Sequence, residues 1–206
     1  MADFDAICMQ AMLPKGATLF EESEIADRII VVCSGLVKVS CTSQAGRVLI
    51  QKIARSGDVL GLSAGMSGSP FEGTAETLAP VTTKTVQCDD FLSFLVRHCE
   101  ARMKVVEILS NEYRFAVIHA RRLALYNDVA GRVASILLGW GAEPFGHESK
   151  MRLTMDISRE NLASLAGTTR ETVCRVLGTF QKNHLIKVQG KSFDILLPDK
   201  LSQLCA

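Results

Sequence analysis

No apolar run in these 206 residues reaches the ~18 residues that a membrane span needs, so no spanning segment is expected. The opening MADFDAICMQ carries acids and no basic residue, unlike a secretory leader, and a cytoplasmic protein is expected. The seven cysteines, Cys8, Cys33, Cys41, Cys88, Cys99, Cys174 and Cys205, include no CxxC pair, which removes the paired zinc and thioredoxin patterns. In a reducing compartment they read as small apolar side chains. Residues 14–87 contain no histidine, so a metal-dependent, cupin-like enzyme roll would lack its ligands there; neither a metal site, nor a cofactor, nor an enzyme is expected.

What is present reads as a globular protein: 48% of residues are hydrophobic and 22% charged, ordinary values for a chain that buries a core. Charge is unevenly placed. Residues 1–100 hold 8 basic and 12 acidic side chains, residues 150–206 hold 9 and 5. A basic tail behind an acidic front points to a polyanionic partner for the tail.

From Pro14 to about Gln87 the pattern is short and β-like. Arg28–Cys33 and Leu36–Cys41 flank a Ser34-Gly35 turn signal, which reads as two strands joined by a turn. A turn at Gln44–Arg47 leads into Val48–Ile53, and Thr74–Val86 is rich in Thr and Val and reads as two more strands. Strands at this spacing, separated by glycine turns, indicate a sandwich or a barrel-like roll.

The pattern changes after Asp89. Phe91–Asn127 has neither Gly nor Pro and predicts helix. With Met103 as a heptad start, the a and d positions are Met103, Val106, Ser110, Tyr113, Val117, Ala120, Ala124 and Asn127. Small and apolar residues dominate, as in a long helix packed against its twin; a helix lying on its own domain fits the same pattern. Asp128–Leu138 predicts a further amphipathic helix with an Asp cap, and Gly139–Lys150 reads as loop. The hinge is placed near Asn127.

In the tail, Ser158–Ala166 gathers Leu162, Ala163, Leu165 and Ala166 on one side, with Ser158 as N-cap. Gly167 follows, free to take positive φ in a tight turn. Thr168 opens a second helix, with Thr168 and Glu171 fitting a capping box and Val173, Val176, Leu177 and Phe180 forming the buried stripe. Helix, glycine turn and helix make a helix-turn-helix. Arg170, Glu171 and Arg175 share an exposed face near the N-terminal end that such a helix puts into the major groove. Guanidinium suits guanine O6 and N7, and carboxylate suits cytosine N4. Leu185–Val188 and Ser192–Leu197 read as a hairpin with Lys191 at its tip, within reach of phosphate.

Gly167–Leu177 (GTTRETVCRVL), with Asp128–Ala134 (DVAGRVA) upstream, resembles the cyclic-AMP receptor protein / fumarate-nitrate reduction regulator (CRP/FNR) family. Leu13–Gly16, Val31–Val39 and Ser56–Gly61 fit the same family, so the resemblance spans nearly the whole chain. It implies an α+β fold: a β-roll sensor of the cyclic-nucleotide-binding type (residues 1–98), a dimerisation helix (99–127) and a C-terminal winged helix-turn-helix (128–206). It further implies a homodimer on double-stranded DNA, at an inverted repeat similar to TGTGA-N6-TCACA. Arg170, Glu171 and Arg175 would read bases; Arg159, Thr169, Thr172 and Lys191 would meet phosphate. RNA polymerase is a further partner that activation would require, although no motif marks a surface for it.

The resemblance breaks at the effector cassette. In the aligned stretch Gly61–Ala75, Leu62 stands where cyclic-nucleotide binders carry the ribose-binding glutamate. Gly73 stands where they carry the phosphate-binding arginine, although Thr74 and Ala75 remain. Val117 and Ile118 stand where the dimer helix would offer hydroxyls to adenine. A buried phosphate without a cationic partner is prohibitively costly, so a standard cyclic-AMP sensor is not expected and the effector is left open. The alternatives are a cyclic-nucleotide, haem or redox signal read through a non-standard pocket. Iron–sulfur sensing needs four gathered thiolates, and only Cys8 lies near the N-terminus. Haem needs an axial ligand among His98, His119, His147 and His184, of which His119 is on the dimer helix. Thiol sensing would fall on Cys8, Cys99, Cys174 or Cys205.

Overall fold

The computed structural model describes residues 2–126, 128–141, 151–154, 157–189 and 192–205. The α+β chain divides into two compact units, Met1–Ala116 and Val117–Ala206.

The first unit is a roll of two antiparallel four-stranded sheets behind a short helix α1 (Ala2–Ala6). One sheet runs β1 (Met9–Leu13), β8 (Val81–Gln87), β3 (Arg28–Ser34), β6 (Val59–Leu60); the other runs β2 (Thr18–Phe20), β7 (Thr74–Thr77), β4 (Val37–Thr42), β5 (Val48–Ala54). β-Branched side chains suit these half-buried pleated surfaces, and Ile30 and Val32 of one sheet share a core cluster with Val37, Ala54 and Ala75 of the other.

The Ser34-Gly35 turn is real, but β3 and β4 are not paired with each other: β3 bonds to β8 and β6, β4 to β5 and β7. The turn instead carries the chain from one sheet to the other. Gly35 makes this crossing at φ +87°, where a Cβ would run into Pro80 O, so both the conformation and the space require glycine. The turn before Val48 does close a hairpin, with Thr42 opposite Val48.

After β6 comes α2 (Leu62–Ser67). The expected unbroken helix from Phe91 is two helices, α3 (Cys88–Arg97) and α4 (Cys99–Leu125), separated at His98, whose φ −123° and ψ 96° leave the helical region. Phe91, Phe94 and Val105 from these helices join Ile29, Leu62 and Val86 in a second cluster. Along α4, the seam residues Met103, Val106, Ser110, Tyr113, Val117, Ala120 and Ala124 are all exposed, Tyr113 at 73%; Asn127, the last seam position and the expected hinge, lies outside the described residues.

The second unit contains α5 (Val129–Gly141), β9 (Met151–Thr154), α6 (Arg159–Leu165), α7 (Arg170–Lys182), β10 (Ile186–Gln189), β11 (Ser192–Ile195) and α8 (Pro198–Gln203). Asp128 caps α5, accepting from Gly131 N at 2.6 Å. The helix continues through Gly139 to Gly141 rather than stopping at Leu138; the rest of the expected loop, 142–150, lies outside the described residues. The expected β10–β11 hairpin is present, and β9 adds a third strand on β11, Leu153 opposite Phe193. Leu137, Leu162, Leu177, Ile186, Ile195 and Leu201 are almost fully buried in its core. Among the described residues no helix is long and apolar enough to cross a membrane.

Candidate DNA interface and sensor cavity

The helix-turn-helix is built by how α6 ends. Ser158 opens α6, its side chain accepting from Asn161 N at 3.1 Å. At the other end Gly167 takes φ +61°. Thr168 N then donates to Ala163 O at 3.0 Å, and Gly167 N to Ser164 O at 3.4 Å. This is a Schellman closure, in which a left-handed residue turns two amides back onto orphan carbonyls of the last turn. It makes Thr168 the closing residue of α6.

The cap of α7 is therefore one residue later than the capping-box reading placed it. Thr169, at φ −93° and ψ 154°, accepts from Thr172 N at 3.3 Å. With Thr169 as N-cap, the third helical position is Thr172, not Glu171. The two hydroxyls Thr169 Oγ1 and Thr172 Oγ1 lie 3.0 Å apart. One proton serves that mutual bond and the other stays available to an outside acceptor. Glu171 is thereby released from capping and free to face outward.

Val173, Leu177 and Phe180 of α7 are buried, with Val176 half-buried beside them. The opposite side carries Arg170, Glu171 and Arg175, all exposed. Glu171 and Arg175 stand four residues apart, a spacing that commonly pairs charges. Yet among the described residues none of the three side chains has an ion-pair or hydrogen-bond partner. Two guanidiniums and a carboxylate thus project from the first two turns of α7. Arg159, in the first turn of α6, is half-buried. Lys191 lies outside the described residues, between β10 and β11.

In the first unit, a cavity of about 140 Å³ opens against α2, lined by Phe20, Phe71, Gly61, Leu62 and Gly73 together with polar groups of β5 and α4. Leu62 is 1% exposed and belongs to the apolar cluster. At Gly73 a Cβ would stand 3.0 Å from Ser40 O and 3.1 Å from Gln51 Oε1, so β4 and β5 already crowd the position. Thr74 Oγ1 accepts from Glu22 N at 3.0 Å. The basic residue lining the cavity is Lys52, bonded to Glu112 Oε1 at 3.1 Å and 4.0 Å from Asp58 Oδ1. Glu72 adds another carboxylate to the lining. Val117 and Ile118 belong to the second unit and are exposed. Lys52 and Glu112, sixty residues apart, are cavity residues that no local pattern announces.

His119 is buried, with Nε2 3.4 Å from Leu165 O. A carbonyl only accepts, so Nε2 carries the proton. Burial, together with the nearby Arg122 cation, pushes the His119 pKa below its usual value. His98 lies against the Phe94 ring and 3.6 Å from Asp3; His184 takes a positive φ of 55° just after α7; His147 lies outside the described residues. Cys99 is exposed and Cys174 half-buried. Burial raises the thiol pKa of Cys8 and of Cys205, which disfavours the reactive thiolate. Among the described residues no group of three or more His, Cys, Asp or Glu could hold a metal ion.

Comparison with known proteins agrees with this architecture. Residues 131–204 match the Crp-like helix-turn-helix domain and residues 11–98 the cyclic nucleotide-binding domain. A CRP-like cAMP-activated global transcriptional regulator of Mycobacterium tuberculosis is 30% identical over 92% of this chain and 85% of its own length. The transcriptional activator protein Anr of Pseudomonas protegens is 28% identical over 94% of this chain and 78% of its own. FixK2 from Bradyrhizobium japonicum shares the fold at a TM-score of 0.84 and 22% identity, covering 97% of this chain and 98% of that one. A helix-turn-helix with outward-facing charges behind a nucleotide-binding-type roll, in a chain that matches such relatives over most of its length, belongs to the CRP/FNR family of DNA-binding transcription regulators.

Proposed function

We propose that the chain acts as a homodimer that binds an inverted repeat similar to TGTGA-N6-TCACA, with Arg170, Glu171 and Arg175 reading bases in each major groove. The observation that carries this reading is the exposed face of α7, whose three charged side chains have no partner among the described residues. Charges held out unpaired at the start of a helix are set to bond to base edges, and a bidentate pair discriminates by about 1–3 kcal/mol. Arg159, Thr169, Thr172 and Lys191 serve as phosphate contacts; the spare proton of the Thr169–Thr172 pair and the free amides of the first turn of α7 suit that role. The exposed seam of α4 supports the dimer, because an apolar heptad face open to water gains from a twin. Two reading heads then meet grooves about one DNA turn apart.

The roll does not fit a cyclic nucleotide bound in the family manner. Leu62 is locked in the core, β4 and β5 crowd the Cβ position of Gly73, and Lys52 is held by Glu112 in a cavity where carboxylates outnumber cations. The cyclic phosphate would enter facing net negative charge. The DNA-binding reading is tested by fluorescence anisotropy with the palindrome, a half-site and random DNA. Two chains per palindrome, and binding at least about 10³-fold tighter than to random DNA, support it; equal affinity for all three refutes it. Cyclic AMP is tested by thermal unfolding. A ligand at 100 times its Kd adds about 2.7 kcal/mol, so a rise in Tm that grows with the logarithm of cyclic AMP concentration refutes the sensor reading.

A further inference from the structure

We infer that Arg132 is a positioning residue that fixes the angle between the last turn of α4 and the reading helix α7, and so selects the spacing between half-sites. The spacing part rests on the dimeric reading given above.

The last carbonyls of a helix have no intrahelical partner and carry the negative end of its dipole. The Schellman closure uses the carbonyls of Ala163 and Ser164. His119 from α4 takes Leu165 O. That leaves Ala166 O, and Arg132 of α5 donates to it from Nε at 2.9 Å. The same guanidinium donates from Nη1 to Tyr126 O at 3.1 Å, the carbonyl just past the end of α4.

One cation therefore closes two helix C-termini at once. A guanidinium is planar, with its donors in a rigid fork, so the two carbonyls cannot move independently of each other. Ala166 stands three residues before the Thr169 cap of α7, and neighbouring contacts leave little slack. A methyl at Gly167 would come 3.2 Å from Leu123 Cδ2, and Arg122 Nε donates to Ser135 Oγ at 3.1 Å. Lysine could keep the charge but not the fork. Methionine would keep the stem and lose both bonds.

The test compares the full-length protein with R132M and R132K. Backbone residual dipolar couplings from 117–125 and 170–182 report the helix angle without DNA. The parent is expected to fit one alignment tensor for both segments, and R132M to require two. Binding is then measured to operators with five, six or seven central base pairs and to an isolated half-site. The parent should prefer one spacing by about tenfold or more, R132M should flatten that preference to about threefold or less, and R132K should fall between. Half-site affinity should change less than about twofold, because the reading face itself is untouched. If R132M does not fold, R132K carries both measurements. A single tensor and an undiminished spacing preference in the folded variant overturn the role of Arg132. A parent that shows one tensor but no preference among spacings overturns the dimer reading instead.

Discussion

Arg175→Ala isolates base readout from folding. Arg175 is exposed on α7 and has no described side-chain partner, so its removal should change folding stability by about 0.5 kcal/mol or less. Its loss should fall on DNA. A bidentate guanidinium–guanine contact is worth about 1–3 kcal/mol, and two distant half-sites add nearly independently, giving about 2–6 kcal/mol per palindrome. At about 1.36 kcal/mol per decade, affinity for the palindrome falls between about thirtyfold and about 3 × 10⁴-fold. The assay is anisotropy at several salt concentrations, on the palindrome, on random DNA and on a set with each half-site base pair replaced. The variant should become indifferent to one base pair per half-site. Its salt slope should fall by less than the ~0.9 per half-site expected of a lost phosphate contact. Equal losses on palindrome and random DNA, with a slope reduced by the full phosphate amount, would refute base readout by Arg175.

Three other outcomes follow from local geometry. Thr169→Ala should cost about 0.5–2 kcal/mol in chemical denaturation while Thr168→Ala costs less, since only Thr169 caps α7; the reverse order would restore the capping-box reading. Gly35→Ala places a methyl against Pro80 O at positive φ and should destabilise by about 2–4 kcal/mol, measured by the same denaturation; a neutral effect would show that the sheet-to-sheet crossing relaxes freely. His119 binds a proton less tightly folded than unfolded, because burial and then Arg122 disfavour the cation. Its contribution to stability is present above the unfolded pKa near 6.5 and is lost as pH falls below it. His119→Gln should remove that part of the pH dependence below about pH 6.5, and an unchanged profile in unfolding scans would contradict it.

The helix-turn-helix was legible because its signals are local. Ser158 and Gly167 each serve a neighbouring backbone group, and Val173, Leu177 and Phe180 repeat at helical spacing, all within one stretch. Thr168 and Thr169 were not separable: two adjacent threonines can both cap, and the choice is made by Thr168 N turning back to Ala163 O. In the roll, strand positions could be read but not sheet membership. Ser34-Gly35 looks the same whether it closes a hairpin or changes sheets; long-range pairing of β3 with β8 decides it. The break at His98 carries no Pro or Gly to announce it. The strand Met151–Thr154 takes its meaning from Ser192–Ile195, some forty residues on. The Lys52–Glu112 pair and the two carbonyls on Arg132 are likewise tertiary: a sequence names the side chain, and the fold chooses its partner.

The regulator account is tested most directly by selecting bound DNA from a random pool with the intact protein, in the presence and absence of cyclic AMP. An enriched inverted repeat of TGTGA-like halves about one turn apart, the same in both pools, is the predicted result. Enrichment of no motif would contradict the regulator account, and a motif that appears only with the nucleotide would contradict the reading of the roll.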